Sequence, residues 1–253
     1  MAEPNQQSQV RVGTAGWSYK HWRGVFYPEG LPQRGWLAYY VQRFDTVEVN
    51  STFYHLPRDS TMESWRVNAP EGFVYALKGS RLITHQRLLA DAEEPLEEFL
   101  RRARLLGDKL GPVLFQLPPR FGLDMPTLER FLDLLPPGLL CAFEFRNETW
   151  YRPETFALLE ERGACFCAHD MPRLWTPRRA TGPAAYVRFH GPQQRYTGAY
   201  PHETLAEWAE WMAGRLQAGQ DVYAYFNNDI GGHAVSDATA LRELLAPLTS
   251  AGQ

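Results

Sequence analysis

Glu144 and Arg146 lie two positions apart in the apolar run Cys141-Ala142-Phe143-Glu144-Phe145-Arg146. In a strand, positions two apart share a face, so the two charges take one side and Phe143 and Phe145 the other. The same split recurs in other β-rich runs. Glu48 and Asn50 oppose Val47 and Val49, and Lys78 opposes Leu77. Gln116 opposes Phe115 and Leu117, Arg188 and His190 oppose Val187 and Phe189, and Tyr225 and Asn227 oppose Ala224 and Phe226. Buried charges are costly unless paired and hydrogen-bonded. A set of them converging from several strands is explained more readily by a functional site than by a purely structural charge network.

The residue types suggest the chemistry. Lys78, Arg146 and Arg188 outnumber Glu48 and Glu144, so the natural complement is an anion, a phosphate or a carboxylate. The three cations would hold that group and stabilise developing negative charge. Glu48 or Glu144 would serve as general base and His190 as general acid or second base. Glu144 has a second reading, as counter-charge to its cationic neighbours. Asn50, Gln116, Tyr225 and Asn227 would orient substrate and side chains. Two glycine-containing loops, 191–198 and 228–233, add Arg195, and Ser236 would cap a last helix whose N-terminus favours phosphate. Trp17, Tyr19, Trp22, Phe53, Tyr54 and Trp150 either line the mouth, where aromatics stack on bases or sugars, or pack beneath a long loop. A divalent metal would have to draw on Glu48, Glu144, His169, Asp170, His190, Asp229 and His233, yet no HExxH or compact HxH motif occurs. The cations on the same face would repel it, so no cofactor is expected, with a divalent metal as the less favoured alternative. Cys141, Cys165 and Cys167 lack metal-site spacing and read as small buried hydrophobes.

These residues need a scaffold. Runs at 10–15, 46–50, 73–78, 113–117, from 141, and at 164–168, 185–190 and 221–226 read as strands. Helical spacing marks 31–44, 60–67, 93–106, 126–135, 153–161, 202–217 and a last helix from Ser236 to near 248. No helix is evident between the sixth strand and Pro183. Repeated βα units imply a parallel sheet. Eight of them in about 250 residues predict one (β/α)8 barrel over 10–248, with polar sites at its C-terminal mouth. Residues 1–9 read as a disordered lead-in. No GxGxxG or GxxxxGK[ST] loop appears. The 253 residues are 44% hydrophobic with a formal net charge of -3, which gives no positive argument for nucleic acid or a membrane. No apolar run approaches the roughly 20 residues of a membrane span. The first nine residues lack a signal-peptide core, so a cytoplasmic location is expected. Nothing in the sequence specifies an oligomeric state.

Several motifs in order carry a family resemblance. They are Gly13-Thr14-Ala15-Gly16-Trp17-Ser18-Tyr19, Glu48-Val49-Asn50-Ser51-Thr52-Phe53-Tyr54, Lys78 with Thr84-His85, Gln116-Leu117-Pro118-Pro119, Glu144-Phe145-Arg146 with Trp150, Arg188-Phe189-His190-Gly191, and Tyr225-Phe226-Asn227-Asn228. Together they resemble the DUF72, or YecE-like, family over nearly the whole chain. The resemblance implies a TIM-type barrel, similar in fold to endonuclease IV and sugar isomerase-like barrels, and by that analogy suggests a nucleic-acid phosphodiesterase. The His and carboxylate cluster expected of endonuclease IV is not found here. The leading expectation is an enzyme, a hydrolase acting on a phosphorylated or other anionic substrate. One alternative is a non-catalytic protein binding nucleic acid or a partner through Trp17, Lys20, Trp22, Arg23, Arg81 and Arg87. Another is a carbohydrate-active barrel using Glu48 and Glu144, whose carboxyl groups would then stand about 5–9 Å apart.

Overall fold

In the computed structural model, which describes residues 8–250, the expected runs form eight parallel strands. These are β1 (Val10–Thr14), β2 (Thr46–Val49), β3 (Val74–Lys78), β4 (Leu110–Gln116), β5 (Cys141–Glu144), β6 (Cys165–Asp170), β7 (Ala184–Phe189) and β8 (Asp221–Phe226). They pair in the order β1-β8-β7-β6-β5-β4-β3-β2, and β1 lies beside β2, so the sheet curls into a (β/α)8 barrel. Apart from Ser8 and Gln9, the expected lead-in lies outside the described residues.

Strand pairing does not close the ring between β1 and β2. The hydroxyl of Tyr40, at the end of α1 (Trp36–Tyr40), accepts the Thr14 amide at 3.1 Å and donates to the Thr46 carbonyl at 3.1 Å. It stands where ladder hydrogen bonds would otherwise run. Gly13 permits the close approach, since a Cβ there would sit 2.4 Å from the Thr46 carbonyl oxygen.

The remaining helices are α2 (Ser51–Tyr54), α3 (Asp59–Asn68), α4 (Glu93–Ala103), α5 (Met125–Asp133), α6 (Pro153–Glu161), α7 (His202–Gln217) and α8 (His233–Ser250). The helix expected at 31–44 contracts to a 3-10 turn, Gln33–Gly35, followed by α1. The helix expected at 93–106 stops at Ala103 and passes into a 3-10 segment, where Gly107 turns the chain with φ 60°. The last helix starts three residues before the expected cap. Ser236 lies inside it, its hydroxyl donating to the His233 carbonyl. No helix follows β6. Thr176 and Thr181 instead pin the 171–183 segment to that strand through the His169 and Phe166 amides, at 3.0 and 2.7 Å.

Strand alternation divides the core. Val47, Val49, Phe115, Val187, Phe189 and Phe226 pack outward beneath the helices. Ala76, Leu114, Ala142, Cys165, Cys167 and Tyr186 pack inside the barrel. The cysteines are buried and free.

Candidate functional site

Two residues above the last inward-facing apolar position of β3 to β8, the same alternation places a polar side chain. Gln116 pairs in register with Glu144, and His169 with Arg188, so these residues form one tier at the C-terminal end of the barrel.

Arg188 is the hub of that tier. Its Nη1 donates to Glu144 Oε2 at 2.5 Å, and its Nη2 to Glu48 Oε1 at 2.7 Å and to Asn50 Oδ1 at 3.4 Å. The other Glu48 oxygen accepts the Tyr186 hydroxyl at 2.7 Å. The other Glu144 oxygen lies 2.5 Å from Arg146 Nη2 and 3.0 Å from His190 Nε2. The Asn227 amide nitrogen faces His190 Nδ1 at 3.1 Å, which leaves the imidazole proton on Nε2, donated to Glu144. Arg146 Nη2 lies 2.8 Å from that nitrogen. Glu48, Glu144, Arg188 and His190 are all buried, and both carboxylates are saturated by protein donors.

The electrostatics follow from these pairings. Burial works to raise the Glu144 carboxyl, but Arg146 and Arg188 overcome it and hold the group well below the usual carboxylate range. Burial likewise opposes the Arg188 charge, and Glu48 and Glu144 hold the guanidinium protonated. For His190, burial and the adjacent Arg146 push the pKa well down, so the ring is neutral.

A second tier is half-buried and less committed. Lys78, Arg146, Asn50 and Asn227 are each partly open to solvent. Lys78 Nζ sits 4.2 Å from the centre of the Phe53 ring. Among the described residues it has no hydrogen bond and no carboxylate within ion-pair distance. Burial and the Arg188 charge bring its ammonium down to about 7. Arg146 directs Nη1 at Met171 Sδ, 2.5 Å away, and its buried Nε has no partner.

The chain matches the family model described as "Protein of unknown function DUF72" over residues 11–251. It belongs to the DUF72 family. Over 269 aligned residues it is 27% identical to the UPF0759 protein YunF of Bacillus subtilis, covering 93% of this chain and 94% of that one. The UPF0759 protein YecE of Escherichia coli K12 is 31% identical over 153 residues, 60% of this chain and 52% of its own length. A solved DUF72 family protein from Thermotoga maritima superposes with a TM-score of 0.87 at 30% identity, covering 94% of this chain and 99% of that one. A glycoside hydrolase family 30 xylanase from Clostridium acetobutylicum, at a TM-score of 0.52 and 11% identity, shares the fold.

In this DUF72 chain some candidate residues lie apart from the charged tiers. Tyr225 points inward but lower, its hydroxyl 2.7 Å from Thr46 Oγ1. Trp17 packs edge-on against Trp65 and Tyr75, at 5.3 and 6.4 Å. Trp22 and Trp150 are buried packing residues. Arg195 is exposed, without an ion pair or hydrogen bond among the described residues. Gln116 donates to the Leu117 carbonyl at 2.8 Å. A guanidinium fills the interval between Glu48 and Glu144, which a glycosidic bond would have to occupy. Among the described residues no three His, Cys, Asp or Glu side chains are grouped to hold a metal, and no helix is long and apolar enough to cross a membrane. Tyr186 was missing from the sequence-derived set although it precedes Arg188 by two, which places it on the same face.

Proposed function

We propose that the barrel mouth binds a small phosphorylated or otherwise anionic substrate and hydrolyses a phosphoester bond in it. One observation carries the reading: among the described residues the Lys78 ammonium, set against the Phe53 ring, has no anionic partner, and Arg146 has one carboxylate, which it shares with Arg188 and His190. With Lys78 protonated, three cations stand against two carboxylates, which leaves one positive charge to be matched. Arg146 and Lys78 would take the phosphoryl oxygens and stabilise charge developing on them. Lys78, brought down to about 7, is the group suited to exchange a proton with attacking water or leaving group. Glu48, Glu144 and His190 are spent on one another and on Arg188. Their role in this reading is to hold the cations in place, so Glu144 is a counter-charge rather than the base.

The test uses sulfate, whose charge is constant over the working range, and a panel of phosphomonoesters and phosphodiesters. Sulfate binding measured by calorimetry should be strongest below about pH 7 and weaken as Lys78 loses its proton above it. Lys78→Met should weaken it at least about tenfold and abolish turnover. Sulfate affinity unchanged in Lys78→Met would reject the anion site. Binding without turnover on any phosphoester would leave a binding protein, not a hydrolase.

A further inference from the structure

With Glu48, Glu144 and His190 engaged by one another and by Arg188, the proposed hydrolysis has an acid in Lys78 but no base. His85 stands outside those pairings. It lies beyond β3 in a single π-helical turn, Leu82–Gln86, a distortion frequent at functional sites. Its ring stands edge-on to Phe53 with centroids 4.8 Å apart, and Lys78 Nζ lies 4.2 Å from the centre of that same ring. The imidazole and the ammonium therefore share one aromatic support. The Arg120 guanidinium donates to the His85 carbonyl and holds its backbone.

Two hydrogen bonds fix where the ring carries its proton. The hydroxyl of Thr84, a buried residue, lies 3.2 Å from the Ser80 carbonyl oxygen and 2.9 Å from His85 Nδ1. The carbonyl only accepts, so the hydroxyl gives its one proton there and accepts from Nδ1. Nε2 is left with its lone pair. The ring is half-buried, and Nε2, which has no hydrogen-bond partner among the described residues, is not sealed from solvent. The surrounding charges keep that lone pair free. Burial, with Lys78, Arg120, Arg81 and Arg146 adding to it, brings the imidazole down to about 4, whereas Lys78 titrates at about 7. Between these values the ammonium holds its proton and the ring takes none. Two groups whose surroundings drive them apart in this order divide the work as acid and base.

We infer that His85 Nε2 is the general base of the mouth, taking a proton from the water that attacks phosphorus while the Lys78 ammonium gives one to the leaving oxygen. The water oxygen bonds to phosphorus and the ester phosphorus–oxygen bond breaks, so a phosphate and an alcohol are released. His85 ends protonated and Lys78 neutral, and proton exchange with solvent restores both. The inference rests on the hydrolytic reading above and adds to it the group that activates water. Thr84 is a positioning residue, acting through the tautomer it imposes on His85.

The test uses p-nitrophenyl phosphate and bis(p-nitrophenyl) phosphate, whose good leaving group needs little help from an acid, so that turnover reports on the base. Sulfate affinity monitors the anion site. Wild-type kcat/KM should rise with pH through about 4. His85→Asn keeps a donor toward Thr84 but has no second ring nitrogen. On whichever ester is turned over it should lower kcat about 100-fold or more, remove that acid limb and leave sulfate affinity as it was. Thr84→Val keeps the shape of the anchor but not its acceptor, and should lower kcat at least about tenfold with sulfate affinity unchanged. If His85→Asn also loses sulfate binding, the mouth has been disturbed and Thr84→Val decides. Full turnover or a retained acid limb in His85→Asn, or full turnover in Thr84→Val, overturns the role of His85 and leaves the hydrolytic reading standing. Wild-type protein that turns over neither ester rejects hydrolysis and the role of His85 with it.

Discussion

Glu144 and Lys78 end strands β5 and β3 of the same barrel and face the same mouth, yet their surroundings are opposite. Both oxygens of Glu144 are matched, one by Arg188 and the other by Arg146 and His190. Among the described residues, Lys78 Nζ has only the face of Phe53. Burial opposes charge at both places, but at Glu144 the neighbouring guanidiniums overcome it, while at Lys78 the neighbouring Arg188 adds to it. Burial of a charge therefore does not by itself mark a site here. The matched charge is architecture, and in the function proposed above the unmatched one is the opening for a ligand.

Breaking the matched side should have the largest effect. Glu144→Gln strands Arg146 and leaves Arg188 with Glu48 as its one carboxylate among the described residues, and should cost about 3–5 kcal/mol of stability, read from urea unfolding. It should also change the acid limb. The Glu144 pKa is lowered on folding, so its contribution is present above the unfolded value, about 4.3, and is lost as pH falls through the lower folded value. The variant's urea midpoint should vary less with pH there than that of the wild type.

On the unmatched side the sign reverses. Lys78→Met should raise stability by about 1–2 kcal/mol at pH 7 while removing anion binding. The folded lysine titrates at about 7 and the unfolded one at about 10.4, so the unfolded chain holds the extra proton between these values. Wild-type stability from this group rises across that window, and the advantage of Lys78→Met should shrink toward pH 10. An advantage that stayed constant with pH would show that packing, not charge, produced it. The smallest effect is expected at the junction of the two tiers. Asn227→Ala removes one hydrogen bond to His190 Nδ1 and should cost about 1 kcal/mol, with a shift in the imidazole nitrogen resonances that a merely structural asparagine would not cause.

Much of this arrangement was legible in the sequence because barrel strands obey a strict period of two. Glu48, Lys78, Gln116, Glu144, Arg188 and His190 fall on inward faces for that reason, and α6 and α7 have the expected bounds. Period two gives the face but not the height. Tyr225 shares the inward face, yet its long side chain reaches across to Thr46 in the apolar layer. Loop residues obey no such rule. Trp17 turns to Trp65, and Arg195 points to solvent. Glu144 could be read two ways because the choice depends on hydrogen bonds from β7, a strand more than forty positions away. The segment after β6 was legible as lacking a helix, but not the Thr176 and Thr181 hydrogen bonds that tie it to that strand.

Tyr40 sets a condition on the whole mouth. With strand pairing running the long way round from β1 to β2, the barrel is a hoop whose join is fastened by side chains, among them a phenol on an outer helix and Arg11, which reaches the Asp45 carbonyl. Just above it, Asn50 reaches across the same join to the Ala15 carbonyl at 3.2 Å while also accepting from Arg188. Slackening the clasp would part β1 from β2 without undoing any strand pair, and would carry Asn50 away from the guanidinium that anchors the charged tier. The spacing of β1 and β2 at the mouth is thus set in part from outside the barrel, by a residue on the far side of the wall.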